Sequence, residues 1–164
     1  MNEKIISENL VQAIIGQMRE EKINAHVYLF ISGFLKGKGL DNLASIFENQ
    51  YKEENEHFHK FFDILTDFNV VPNIPDIPNV QFDFTSIVDI ANKFLERELL
   101  TTESITEIRD LSIDESYPIA EEFLRDMISL QRLEYEEALT MVDKAELCGS
   151  NWMNVFIWDL GLKG

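Results

Sequence analysis

Four long apolar stripes with helical spacing run through the chain, and polar residues break each of them near its middle. The first reads Leu10, Ile14, Gln17, Glu21, Asn24, Tyr28, Ile31, Leu35. The second reads Leu43, Phe47, Gln50, Glu54, His57, Phe61, Ile64, Phe68. The third is Ile87, Ala91, Phe94, Glu98, Thr101, Ile105, Ile108, and the fourth is Ala120, Phe123, Met127, Gln131, Glu134, Ala138, Met141, Ala145. Steps of three and four keep each set on one helix face. Each stripe covers roughly 25 to 30 residues, or about 40 Å of helix. Four such helices consume most of the chain, which predicts an all-α four-helix bundle.

The segments between stripes agree. Gly37 and Gly39 read as a helix end and tight turn, with Asp41 as the expected cap of the second helix. Ser86 and Asp89 form a candidate capping box for the third helix. Ser116 and Pro118 mark the start of the fourth, where the missing proline N–H does no harm. Between Thr66 and Asp83, Pro72, Pro75 and Pro78 exclude regular helix. Val70, Val71, Ile74, Ile77 and Val80 make this stretch apolar, so it is expected to lie along the bundle. A crossover of that length lets helices two and three run parallel, which gives an up-down-down-up order. The expected domain is single, 1–164, with helices at about 7–36, 41–69, 85–112 and 116–147, and a short C-terminal helix at about 151–162.

Composition narrows the function. The formal net charge of −16 argues against nucleic-acid binding and favours attraction of cations. No apolar run approaches the ~20 residues that span a bilayer, and the start shows no secretory pattern. The one cysteine, Cys148, excludes an internal disulfide and thiolate metal sites. A cytoplasmic protein is expected.

Burying an ionised carboxylate is costly unless a partner compensates. Glu21, Glu54, His57, Glu98 and Glu134 interrupt four helices at comparable depth, so a shared partner is indicated. Carboxylates with one imidazole suit a pair of iron or manganese ions. Glu54-Asn55-Glu56-His57 carries the Glu-x-x-His spacing of di-iron helical bundles. Tyr28 lies two turns beyond Glu21, within reach of such a site, and Gln131 is placed to ligate weakly or to hydrogen-bond there. His26 and His59 fall off the stripes and read as surface residues, while Met18, Met127 and Met141 read as core filling.

With these residues in view, the chain resembles the bacterial non-haem ferritins over about Leu10 to Leu162. The resemblance rests on Gln17-Met18-Arg19-Glu20-Glu21, Glu53-Glu54-Asn55-Glu56-His57, Glu98, and Gln131-Arg132-Leu133-Glu134. Phe62 to Asp67 and Tyr117-Pro118 add to it. It implies a ferritin-like bundle and an intrachain di-iron centre. One iron would be held by Glu21, Glu54 and His57, the other by Glu54, Glu98 and Glu134. It also implies Fe(II) oxidation by dioxygen or hydrogen peroxide, an Fe(III) mineral, and a hollow homo-oligomer of 24 subunits. Glu134 is followed by Tyr135, Glu136 and Glu137 rather than by a second Glu-x-x-His, and Asn55 and Glu56 leave no haem-binding methionine. No haem is therefore expected. Glu53 matches the first residue of the family's third iron site, but Leu130 and Leu133 occupy the positions that would complete it. Trp152, Phe156 and Trp158 fit a fifth helix buried near the four-fold axis of a shell, with docking against the chain's own bundle as the alternative. Gly161 and Gly164 make the extreme end a poor helix former. A peroxide-reducing di-iron protein and a metal-free structural bundle are the competing functions.

Overall fold

A computed structural model describes residues 5–162. The first four helices are α1 (Glu8–Gly37), α2 (Asp41–Asp67), α3 (Ile87–Asp114) and α4 (Pro118–Cys148), and a short α5 (Trp152–Gly161) follows. The expected end points at residues 1 and 164 lie outside the described residues, Gly164 among them, while Gly161 is the last residue of α5.

Cross-helix contacts set the directions. Lys36 meets Glu48 and Lys22 meets Asn55, so α1 and α2 are antiparallel. Tyr28 reaches Glu98 while Gln17 reaches Ser104, so α1 and α3 are antiparallel too. Gln131 meets Glu98 and Arg109 meets Glu121, which sets α4 against α3. Helices α2 and α3 are therefore parallel, and the order is up-down-down-up. The 68–86 crossover makes this possible. Its backbone is tied to α1 by Arg19 Nε donating to the Asp76 carbonyl at 3.0 Å, and Phe82 and Phe84 pack on Phe30. The apolar character of the crossover is only partly used. Val70 is buried, but Val71 is 94% exposed and Ile74 63% exposed, so this stretch does not lie flat on the bundle throughout.

Local chemistry explains most helix ends. The Ser7 hydroxyl caps α1, and Ser86 with Asp89 forms a reciprocal capping box on α3. Gly39 takes φ 76° in the α1–α2 turn, a conformation that costs other residues energy. Asp41 does not cap α2. Its N-cap is Leu40, with no side-chain cap bond of its own. The donor that Asp41 would have served, Leu43 N–H, is taken at 2.7 Å by Asp159 Oδ1 from α5, and Asn42 Nδ2 donates to the Asp159 carbonyl at 2.9 Å. The cap is thus supplied through tertiary structure, and it holds α5 against the chain's own bundle. Val155 and Asp159 are the buried residues of α5, whereas Phe156 is 42% exposed.

The apolar core comes in two parts. One surrounds Tyr28, Leu35, Phe47, Phe94 and Met141, and the other surrounds Leu10, Ile14, Phe61, Ile105 and Leu124. Between them lies a belt of buried polar residues contributed by all four long helices. Met18, Met127 and Met141 fill core positions, and His26 and His59 are exposed.

Candidate metal centre

The antiparallel register brings Glu21, Glu54, His57, Glu98 and Glu134 into this belt, every one of them buried. Two groups of potential ligand atoms form, Glu21–Glu54–His57 and Glu54–Glu98–Glu134, with the atoms of each group all within 4.8 Å of one another. Glu54 belongs to both. His57 Nδ1 lies 3.8 Å from Glu21 Oε2 and 3.9 Å from Glu54 Oε1, and its Nε2 lies 3.5 Å from Glu134 Oε1. These separations are too long for good hydrogen bonds. Glu21 Oε2, Glu54 Oε1, His57 Nδ1 and Glu134 Oε2 are buried without a hydrogen-bond partner. Most buried polar atoms in native interiors have a hydrogen-bond partner, and here four that lack one line a single space. That donor set fits hard or borderline cations such as iron.

The surrounding residues hold the carboxylates in place. Tyr28 donates its hydroxyl to Glu98 Oε1. Gln131 Nε2 donates to Glu98 Oε2 and, at 3.2 Å, to the Glu98 carbonyl. The Gln131 amide nitrogen is therefore committed to Glu98. Gln17 Nε2 donates to Glu21 Oε1 at 2.8 Å. Glu53 is exposed on α2 and stands outside both ligand groups. Leu130 and Leu133, 37% and 53% exposed, add no ligand beside it.

Electrostatics carries the signature of crowded, dry carboxylates. Burial raises Glu54 well above the ordinary carboxyl range, and repulsion from Glu21, Glu98 and Glu134 adds to this. Burial likewise raises Glu98 to about 7, although Tyr28 and Gln131 act in the opposite direction. Glu134 is raised to about 8, again chiefly by burial. Burial also works to raise Glu21, but His57, Glu54 and Gln17 outweigh it, and its pKa is lowered. For His57 burial favours the neutral ring, yet Glu21 and Glu134 prevail and raise its pKa. Burial and the Glu98 charge push the Tyr28 hydroxyl well above its usual value, so it remains a donor.

Three residues escaped the sequence reading. Asn24 and Thr101 lie on the stripes but carried no assigned role, and Arg97 lies off them. All three join one hydrogen-bonded chain that ends on Glu54. The available signal was the polar character of Asn24 and Thr101, each one turn from a buried carboxylate.

The family model for the ferritin-like domain matches residues 11–148. This chain belongs to the ferritin family. Among curated relatives, it is 30% identical over 142 residues to ferritin BfrB of Mycolicibacterium smegmatis, covering 87% of this chain and 78% of that one. It is 23% identical over 159 residues to the bacterial non-heme ferritin of Campylobacter jejuni, covering 97% of this chain and 95% of the relative. Among solved structures, it superposes on an open pore ferritin from the hyperthermophilic archaeon Archaeoglobus fulgidus with a TM-score of 0.91 at 24% identity, covering 96% of this chain and 97% of that one. A humanized archaeal ferritin gives 0.90 at 25% identity, covering 96% and 95%. The ferritin bundle with its short fifth helix is therefore the fold of this chain.

Proposed function

We propose that this ferritin stores iron by oxidising Fe(II) at the Glu21–Glu54–His57–Glu98–Glu134 centre and passing Fe(III) to a mineral inside a hollow homo-oligomer of 24 copies. The observation that carries this reading is the set of four unpartnered, buried donor atoms that face one another. Two groups sharing Glu54 suit two ions, so the centre is read as di-iron, without haem. Tyr28 and Gln131 orient Glu98. The formal charge of −16 draws Fe(II) toward the protein and fits deposition on an acidic inner surface.

Each substrate Fe(II) gives up one electron. Two of them reduce dioxygen, which takes up two protons and leaves as hydrogen peroxide. Hydrogen peroxide as oxidant takes the same two electrons and two protons and leaves as water. Glu54, Glu98 and Glu134, whose pKa values are raised, release protons as cations bind beside them, and these protons are available to the reduced oxygen. The residues around the pair, with Phe47, Phe61 and Phe94 above and below, exclude bulk water. No helix among the described residues is long and apolar enough to cross a membrane, which suits a cytoplasmic store.

Metal-free protein loaded with Fe(II) under anaerobic conditions and then exposed to air tests this reading. The expected result is ferric absorbance rising well above the buffer rate, with iron retained in a particle of about two dozen chains. Glu54→Ala and His57→Ala are expected to abolish the fast phase. Unchanged rapid oxidation in both variants would refute the site.

A further inference from the structure

Glu54 is the carboxylate common to both ligand groups, and its two oxygens are not equivalent. Oε1 lies on the His57 side, 3.9 Å from Nδ1, and has no hydrogen-bond partner. Oε2 accepts a hydrogen bond from Asn24 Nδ2 at 3.2 Å. The second N–H of the same amide goes to Thr101 Oγ1 at 2.8 Å. The Thr101 hydroxyl donates in turn to the Arg97 carbonyl at 3.0 Å, so its oxygen is free to accept from Asn24. On the far side Arg97 Nε donates to Asn24 Oδ1 at 2.6 Å, and Arg97 Nη2 binds Glu20 Oε2 at 2.6 Å. A guanidinium only donates. The oxygen of Asn24 must therefore face Arg97, and both of its N–H groups must face inward. The usual two-fold ambiguity of an amide is removed.

Resting on the ferroxidase reading, we propose that Asn24, locked by Arg97 and Thr101, is the positioning residue that holds Glu54 in its bridging orientation. Oε1 is turned to the Glu21–His57 side, and Oε2 is held for the Glu98–Glu134 side. Without the amide, no hydrogen bond holds Oε2 in place, and rotation of the Glu54 side chain takes that oxygen away from the Glu98–Glu134 side while an oxygen still reaches the His57 side. The ion on the Glu98–Glu134 side then loses its shared ligand, while the Glu21–His57 ion keeps its own. The Glu20–Arg97 pair, partly exposed at the outer surface, connects this device to solvent.

Mn(II) is a suitable probe, because two carboxylate-bridged Mn(II) ions give an exchange-coupled paramagnetic resonance spectrum and an isolated ion gives six lines. Chelator-treated wild type, Asn24→Leu and Arg97→Gln are titrated by equilibrium dialysis and examined spectroscopically, and the metal-free forms are melted. Wild type is expected to bind two coupled ions per chain. Asn24→Leu is expected to keep the first ion within about threefold and to weaken the second by about tenfold or more, the range for loss of a supporting hydrogen bond at a metal ligand. The coupled spectrum is then replaced by six lines. Arg97→Gln is expected to shift the second ion in the same direction by less. Two coupled ions at unchanged affinity in Asn24→Leu overturn the inference, as does equal weakening of both. A lowered melting temperature alone, with the ratio of the two affinities unchanged, assigns Asn24 a structural role only and also overturns it. If Asn24→Leu does not fold, Arg97→Gln decides, and unchanged second-ion affinity there overturns the inference. Wild type that binds fewer than two ions instead refutes the two-ion centre itself.

Discussion

Raising the pH of the metal-free protein from 6 to 9 is expected to destabilise it by about 4 kcal/mol. Glu98 and Glu134 titrate at about 7 and about 8 in the folded chain, against a reference of 4.5. Both bind their proton more tightly folded than unfolded. The stability they contribute is fully present below 4.5 and is lost as pH rises through 7 and 8. At pH 6 the first lies about one unit and the second about two units above the solution pH. Their remaining contributions are about 1 and about 3 kcal/mol, at ~1.4 kcal/mol per unit. By pH 9 both are gone. Glu54 and His57 are also raised and act with the same sign. Glu21 is lowered, but its effect falls at more acid pH, below its reference of 4.5. Urea titration at fixed chain concentration, with chelator present, reads this directly. A slope of about 2 kcal/mol per molar makes the expected drop in midpoint about 2 M. Replacing the chelator with Zn(II) at pH 9 is expected to restore the midpoint, because the cation replaces the missing protons. Glu98→Gln is expected to flatten part of the pH dependence. A midpoint that is equal or higher at pH 9 would refute the idea that these carboxylates are buried against one another.

Three substitutions probe other parts of the argument. Tyr28→Phe removes the donor to Glu98 and is expected to cost about 1–3 kcal/mol in a urea melt at pH 6; no change would mean that another group satisfies Glu98. Asp159→Ala uncaps α2 and is expected to cost about 1–2 kcal/mol, with anaerobic Fe(II) affinity unaltered, since the cap lies far along α2 from Glu54. Ser116 adopts φ 61°, so Ser116→Gly is expected to raise stability by about 0.5–1 kcal/mol, measured by the same titration.

The periodicity of the stripes determined the helices, because a helix can bury only the residues its own geometry places on one side. The prolines of the crossover determined the parallel pair, because no short turn joins two parallel helices. Glu21, Glu54, His57, Glu98 and Glu134 were legible for a related reason: a charged residue inside an apolar stripe has no cheap explanation in one helix alone. Tertiary structure decided the rest. Asp41 carried the local signature of a cap, but Asp159, 116 residues from Leu43, took that donor. The fixed orientation of Asn24 depends on Arg97, which is 73 residues away and off every stripe. The exposure of Val71 and Ile74 depends on where an extended chain touches helices that it does not pair with. Sequence spacing records which residues share a face. Which donor meets which acceptor across helices is set by the register of the packed bundle, and no local pattern encodes that distance.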